Sequence, residues 1–196
     1  MKVLVTGANG HIGSNVVRSL LAQDYQVKAF IRKGADTRGL DGLDIEYCYG
    51  DVMKVETLED AVVGCDAVIH LAAVYKTIAK TPEEIVEPAI EGAKNIFAAA
   101  HKAGIKRIVY TSSIASIGFS YDRNKLLTGA DWNQDAHNPY YIAKTQSEKA
   151  AQELARKYDI HLVVICPAIV MGAFDYRITP SNQIIMDWIN GSGQTY

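Results

Sequence analysis

The stretch Val3-Leu4-Val5-Thr6-Gly7-Ala8-Asn9-Gly10-His11-Ile12-Gly13 decides the fold of this 196-residue chain. An apolar run enters a turn with Gly7, Gly10 and Gly13 at even spacing, and Val16, Val17, Leu20 and Leu21 follow at helical spacing. The pattern is strand, glycine turn, helix. A helix N-terminus offers unpaired N–H groups and the positive end of the helix dipole, both of which attract phosphate. Glycine lets a pyrophosphate approach the backbone with no Cβ in the way. The spacing is GxxGxxG rather than GxGxxG, and by itself it also fits an ordinary surface turn.

The rest of the chain repeats the alternation. Gln26–Ile31, Asp44–Tyr49, Asp66–Ala73, Ile105–Tyr110 and His161–Cys166 read as strands. Helical periodicity runs over 82–101, from Tyr140 to about Lys157, and over Asn182–Ile189. No repeat, low-complexity tract or long linker interrupts the series. Alternating βαβ units predict an α/β fold with a doubly wound parallel sheet, the Rossmann arrangement, whose ligands bind beyond the carboxyl ends of the strands.

Composition narrows the class. Apolar residues make up 48% of the chain and the formal net charge is −2, with acids and bases mixed. That predicts one well-buried domain with no nucleic-acid tail and no basic membrane patch. No apolar run approaches a membrane span, and a chain that enters a strand at once predicts no signal peptide. Cys48, Cys65 and Cys166 are scattered, with no CxxC, and read as reduced core thiols of a cytoplasmic protein.

Several side chains stand where chemistry is expected. Past the second strand of a dinucleotide fold, an acid binds the ribose 2′-OH of NAD, whereas an arginine accommodates the 2′-phosphate of NADP. Arg32 holds that position with Lys33 beside it, which predicts NADP(H) preferred, NAD(H) remaining open. Asp51, past the third strand, can accept a hydrogen bond from an adenine amino group, cap the helix expected near Lys54, or do both. His70 is expected as a hydrogen-bonded core histidine. After the fifth strand come Thr111-Ser112-Ser113-Ile114-Ala115-Ser116, then Tyr140-Tyr141-Ile142-Ala143-Lys144. Tyr140 and Lys144 share a helix face, and an ammonium beside a phenol favours the phenolate. Such a tyrosine can pass a proton to a substrate oxygen that a serine hydroxyl holds. Tyr141 is a register alternative, but Thr145 follows it where a charge is needed.

The loop TGANGHIG, with the Ser, Tyr and Lys clusters behind it, resembles the extended short-chain dehydrogenase/reductase family of the epimerase/dehydratase superfamily. The segment Glu87–Asn95, EPAIEGAKN, resembles the dihydroflavonol reductase and cinnamoyl-CoA reductase branch. The resemblance implies Ser113 as the oxygen-holding hydroxyl, with Ser112 and Ser116 as alternatives. It implies Tyr140 as general acid/base, and Lys144 as its tuning partner and a ligand of the nicotinamide ribose. It implies a cofactor site of Gly7, Asn9, Gly10, His11, Ile12, Gly13, Arg32, Asp51, Val52, Leu71, Ala72, Ala73, Pro167 and Val170. The last two lie in a P-x-x-V-x-G step that packs near the nicotinamide in the family. A supporting asparagine of the family falls near Ala89 here, so that role is unassigned.

On this resemblance, residues 1–172 form the NAD(P)-binding domain and 173–196 begin an incomplete substrate-binding region. The family pattern is cut short, which fits either a fragment or a naturally short form. The implied activity is NADPH-dependent reduction of a small-molecule carbonyl, aldehyde, ketone or dihydroflavonol-like. Two alternatives stand beside it, an NAD-dependent sugar-nucleotide epimerase or dehydratase and a non-catalytic cofactor-binding sensor. Arg32 argues against the first, and the intact Tyr140/Lys144 pair against the second. Helices 82–101 and 140–157 are candidates for a homodimer face, because relatives pair through them.

Overall fold

Strand β1 (Lys2–Thr6) is apolar on both faces, and Val3, Leu4, Val5 and Thr6 are all buried, as a strand with neighbours on every side requires. It is followed by β2 (Gln26–Ile31), β3 (Glu46–Tyr49), β4 (Ala67–His70), β5 (Arg107–Thr111) and β6 (His161–Ile165). In the computed structural model, which describes residues 1–72 and 81–192, these form one parallel sheet in the order β3-β2-β1-β4-β5-β6. The order reverses between β1 and β4, which opens a crevice at their carboxyl ends.

Helices α1 (His11–Leu21), α2 (Val55–Val62), α3 (Glu83–Lys102), α4 (Ile114–Ile117), α5 (Pro139–Tyr158) and α6 (Pro180–Ile189) make up the other layers. The two-residue period of β1 divides the core. Leu4 joins Phe97, Ile96, Leu58 and Ile108 under α2, α3 and α5, while Val3 and Val5 join Val17, Val27 and Leu40 under α1. Coverage is uneven. Val163 and Ile165 of β6 remain 41% and 48% exposed, whereas Leu162 and Val164 pack on the cluster beneath α5. No helix among the described residues is long and apolar enough to cross a membrane.

Element ends differ from expectation in two instructive places. Strand β4 closes at His70 rather than Ala73, because the Ala72 N–H leaves the ladder and donates to Thr6 Oγ1 at 3.2 Å. Ala73 itself lies outside the described residues. Asp51 does not cap α2: the N-cap is Lys54, and Asp51 Oδ1 instead accepts from the Met53 N–H at 3.0 Å, closing the turn ahead of the helix. Helix α5 starts where expected for a clear reason. Asn138 Oδ1 accepts the Tyr140 N–H at 2.8 Å and Pro139 stands at the first turn, a cap worth about 1 kcal/mol.

The tightest packing is in the glycine turn. A Cβ at Gly13 would sit 2.1 Å from the Gly7 carbonyl oxygen and 2.8 Å from Ala8, a backbone collision that no rotamer change relieves. Gly13→Ala is therefore expected to destabilise the chain by roughly 3 kcal/mol, read as a lower urea midpoint. An unchanged midpoint would show that α1 docks less closely than described.

Candidate active site

The crevice is built first from backbone. Gly7 has a φ of +68°, and a Cβ there would lie 2.9 Å from the Ala72 nitrogen, so β1 turns against β4 only through glycine. The Gly10 N–H closes the turn on the Gly7 carbonyl at 3.0 Å, and Ser14 makes the first helical bond, to the Gly10 carbonyl at 2.8 Å. The amides of His11, Ile12 and Gly13 therefore stand outside the helical ladder. Helix α1 has no side-chain cap and no acidic residue in its first turn, so nothing anionic competes for that end from within the helix. Bare amides at a helix N-terminus are the kind of group that binds a pyrophosphate.

The loop's side chains do other work. Asn9 Nδ2 donates to the Asp36 carbonyl at 3.0 Å and so braces the segment after β2. Asp36 in turn grips Arg38 through both carboxylate oxygens, which holds its carboxyl low, at about 2. Arg32 and Lys33 stand exposed beyond β2, open to a phosphate. His11 lies against Asp175 with Nδ1 3.7 Å from Oδ1, and that nitrogen is buried without a hydrogen bond.

Asp175 belongs to a segment with no periodicity in the sequence, which docks on α1. Arg18 stacks on Phe174 at 4.5 Å and reaches the Tyr176 hydroxyl at 3.3 Å, and Asn15 Nδ2 donates to the Ala173 carbonyl at 3.1 Å. Asn182 pairs with Gly172 through both its amide atoms, at 3.0 and 3.1 Å. A narrow polar cleft remains between this segment and the glycine turn, lined by Asn9, Gly10, His11, Ser14, Asp36 and Gly39 on one side.

At the far side of the crevice, Thr6 organises the end of β4. Its Oγ1 accepts the N–H groups of Leu71 and Ala72, each at 3.2 Å, and lies 2.9 Å from His70 Nδ1. With its lone pairs occupied, the threonine gives its proton to Nδ1, which leaves His70 as the neutral Nε2–H form. His70 is buried and stacked on Tyr110 at 5.5 Å. Burial, helped by the charge of Lys144, drives its pKa down to about 3.

The serine, tyrosine and lysine clusters converge at the exits of β5 and β6. The Ser112 N–H donates to the Ile165 carbonyl at 2.8 Å and the Ile114 N–H to the Pro167 carbonyl at 3.1 Å, so the two exits are stitched together. Ser113 is buried and caps α4, its Oγ accepting the Ala115 N–H at 3.2 Å. As a hydroxyl it can still donate its own proton. Ser112 and Ser116 are committed elsewhere, each donating to Glu148 Oε2 at 2.5 Å. Tyr140 opens α5, and Lys144 Nζ lies 6.0 Å from its ring centre and donates to the Thr111 carbonyl at 3.3 Å. Burial lowers the Lys144 pKa to about 8, against the opposing pull of Cys166 and Glu148. Tyr141 points outward and is 40% exposed. Val170 is half-buried near the Pro167 exit, and Val52 packs against Gly92 while its carbonyl takes a bond from Asn95 at 2.9 Å.

Comparison with known proteins fits this geometry. A family model described as "NAD dependent epimerase/dehydratase family" matches residues 3–192. The chain belongs to that family. Cinnamoyl-CoA reductase 1 of Arabidopsis thaliana is 33% identical over 209 residues, covering 99% of this chain and 60% of that protein. Dihydroflavonol 4-reductase of Zea mays is 31% identical over 213 residues, covering 99% and 60%. Among solved structures, gox2253 superposes with a TM-score of 0.85 at 28% identity, over 99% of this chain and 59% of that one. Gre2 of Candida albicans, solved in complex with NADPH, superposes with a TM-score of 0.77 at 29% identity, over 88% and 59%. The chain thus spans about 60% of the length of the curated relatives it matches.

Thr6, Glu148 and the 173–177 segment were not legible as site residues. A threonine before the first glycine carries no distinctive spacing. Glu148 does recur one turn after Lys144 on the same helix face, a signal that could have found it. The neutral state of His70 has a measurable consequence. Unfolding takes up a proton between the ordinary histidine value of 6.5 and about 3, so stability falls as pH drops through that window. A His70→Gln variant should show a shallower fall in urea midpoint over the same range, and an identical slope would mean that His70 is charged in the folded chain.

Proposed function

We propose that the chain carries the cofactor-binding and proton-transfer machinery of an NADPH-dependent carbonyl reductase. The observation that supports this reading is Lys144, whose Nζ lies 6.0 Å from the Tyr140 ring centre and bonds the Thr111 carbonyl two residues before Ser113, across the crevice from an uncapped, glycine-lined helix N-terminus. The reductase names of the relatives and the NADPH-bound Gre2 structure support it.

The first-turn amides of α1 would hold the pyrophosphate, Arg32 the 2′-phosphate, and Asp51 the adenine edge. Leu71 and Ala72, Pro167 and Val170 would flank the rest of the cofactor, with Val52 behind Asp51. Bound there, the cofactor supplies a hydride to the carbonyl carbon of the substrate. Ser113 donates its spare proton as a hydrogen bond to the carbonyl oxygen, where negative charge develops. Tyr140 delivers the proton that converts this oxygen to a hydroxyl and becomes a phenolate. The Lys144 ammonium stabilises that phenolate and would also hold a hydroxyl of the nicotinamide ribose. Residues 1–172 form the cofactor domain in this reading, 173–196 begin the cover over the substrate, and two copies pair through α3 and α5.

Tyr140→Phe is expected to reduce NADPH-dependent carbonyl reduction to background while leaving NADPH affinity within about twofold, since only the transferable proton is lost. Retained turnover would remove Tyr140 from the mechanism. Calorimetric titration should show NADPH bound roughly tenfold or more tightly than NADH, with the difference gone in Arg32→Asp. Equal affinity for the two cofactors in the native chain would refute the role given to Arg32.

A further inference from the structure

Glu148 is a buried ionisable side chain for which the proposed reaction has no use. It sits on α5 one turn beyond Lys144 and two beyond Tyr140, and is 4% exposed. Its Oε2 accepts from Ser112 Oγ and Ser116 Oγ, each at 2.5 Å, with Cys166 Sγ 3.7 Å away, and its Oε1 accepts from Gln152 Nε2 at 3.2 Å. Ser112 and Ser116 bracket Ser113, and the Ser116 hydroxyl also lies 2.7 Å from the Ser113 carbonyl. One carboxylate thus gathers the exit of β5, the start of α4 and the exit of β6 onto the helix that carries Tyr140 and Lys144.

We infer that Glu148 is a positioning residue for the Ser113–Tyr140–Lys144 set: its carboxylate anchors the hydroxyls on either side of Ser113 to α5 and sets a negative charge one helical turn from the Lys144 ammonium. The inference rests on the reductase reading for its purpose, but its geometry is independent of any bound cofactor. A core acid held only for packing could be neutral, because two donors and an amide satisfy a glutamine almost as well. The charge matters because of what surrounds Lys144. Among the described residues, the ionisable groups that act on it are Glu148 and Tyr140 on its own helix, Cys166 from the β6 exit and His70 from β4. His70 is neutral, and burial together with Glu148 raises the Cys166 thiol. Glu148 also faces Tyr110 of β5, which burial pushes up to about 12 and which therefore stays a phenol. Among the described residues, Glu148 is thus the carboxylate that offsets the cost of burying the lysine charge.

The test is the titration of Lys144 in the free chain, followed by competitive acetylation and mass spectrometry across the neutral and alkaline range. Glu148→Gln keeps the acceptor for both serines and removes the charge. Lys144 in that variant is expected to titrate lower by roughly half a unit to one unit, as for a charge about one helical turn away. A folded Glu148→Gln chain, verified by circular dichroism, whose Lys144 titrates as in the native chain overturns the inference. If the variant does not fold, NMR of side-chain-labelled glutamate in the native chain decides: an ionised Glu148 where Lys144 titrates supports the inference, and a protonated one overturns it. The reductase reading fails separately. A chain that shows the Glu148-dependent shift yet oxidises no NADPH with any carbonyl supports the positioning role and sinks the reductase.

Discussion

The carbonyl oxygen of Gly7 is the point about which the top of the sheet is arranged. It accepts the Gly10 amide at 3.0 Å, lies 3.3 Å from where a Cβ on Gly10 would be, and 2.1 Å from where one on Gly13 would be. The Gly7 amide is tied to the Phe30 carbonyl at 3.2 Å, and its own Cα faces the Ala72 backbone. One turn therefore fixes β1 against β2, β4 and α1 at once. Side chains could not do this, because each would occupy the space that the approach requires. The closeness that leaves no room for a Cβ is also what leaves the first amides of α1 bare toward the crevice.

The opposite side of the crevice uses another device. There backbone bonds from Ser112 and Ile114 hold the exits of β5 and β6 together, and side chains tie them to α5. Ser112 and Ser116 reach Glu148, the Ile114 amide reaches Pro167, and Lys144 reaches Thr111. These contacts are polar and buried, so each depends on the others being made. A lone glutamate in that position would be costly; with three protein donors it becomes a clamp.

Much of this was legible in the sequence, and the reasons differ by residue. The alternation of strands and helices is a pattern of burial, and Val3 to Val5 or Ile96 and Phe97 are buried for the reason they are apolar. Gly13 could be read because the collision it avoids is local. Tyr140 and Lys144 could be read because helical spacing converts four residues of sequence into one face. What escaped reading depends on distance. The Thr6 bonds to Leu71 and Ala72 join residues far apart in the chain, and no local pattern announces them. The docking of Phe174 and Tyr176 on Arg18 is likewise invisible, since the segment has neither a two-residue nor a 3.6-residue period. Asp51 had two readings open, because a short acid before a helix has two nearby uses, and the turn at Met53 removes the cap from them.

The two halves of the crevice should therefore respond differently to change. Around α1 the determinants are amides and the absence of Cβ atoms, so most side-chain replacements outside the glycines leave the cradle in place. His11 and Asn9 illustrate this: one packs against Asp175 and the other braces Asp36, and neither shapes the turn itself. Around α5, side-chain atoms add to the backbone bonds that join the strand exits. A serine lost there frees a buried carboxylate oxygen, and a lysine lost there leaves the Thr111 carbonyl without its donor. The two sides of the crevice are thus supported by independent physical means on one sheet. Among the described residues they meet through β4, whose end is set by Thr6 on one side and whose His70 feels the charge of Lys144 on the other.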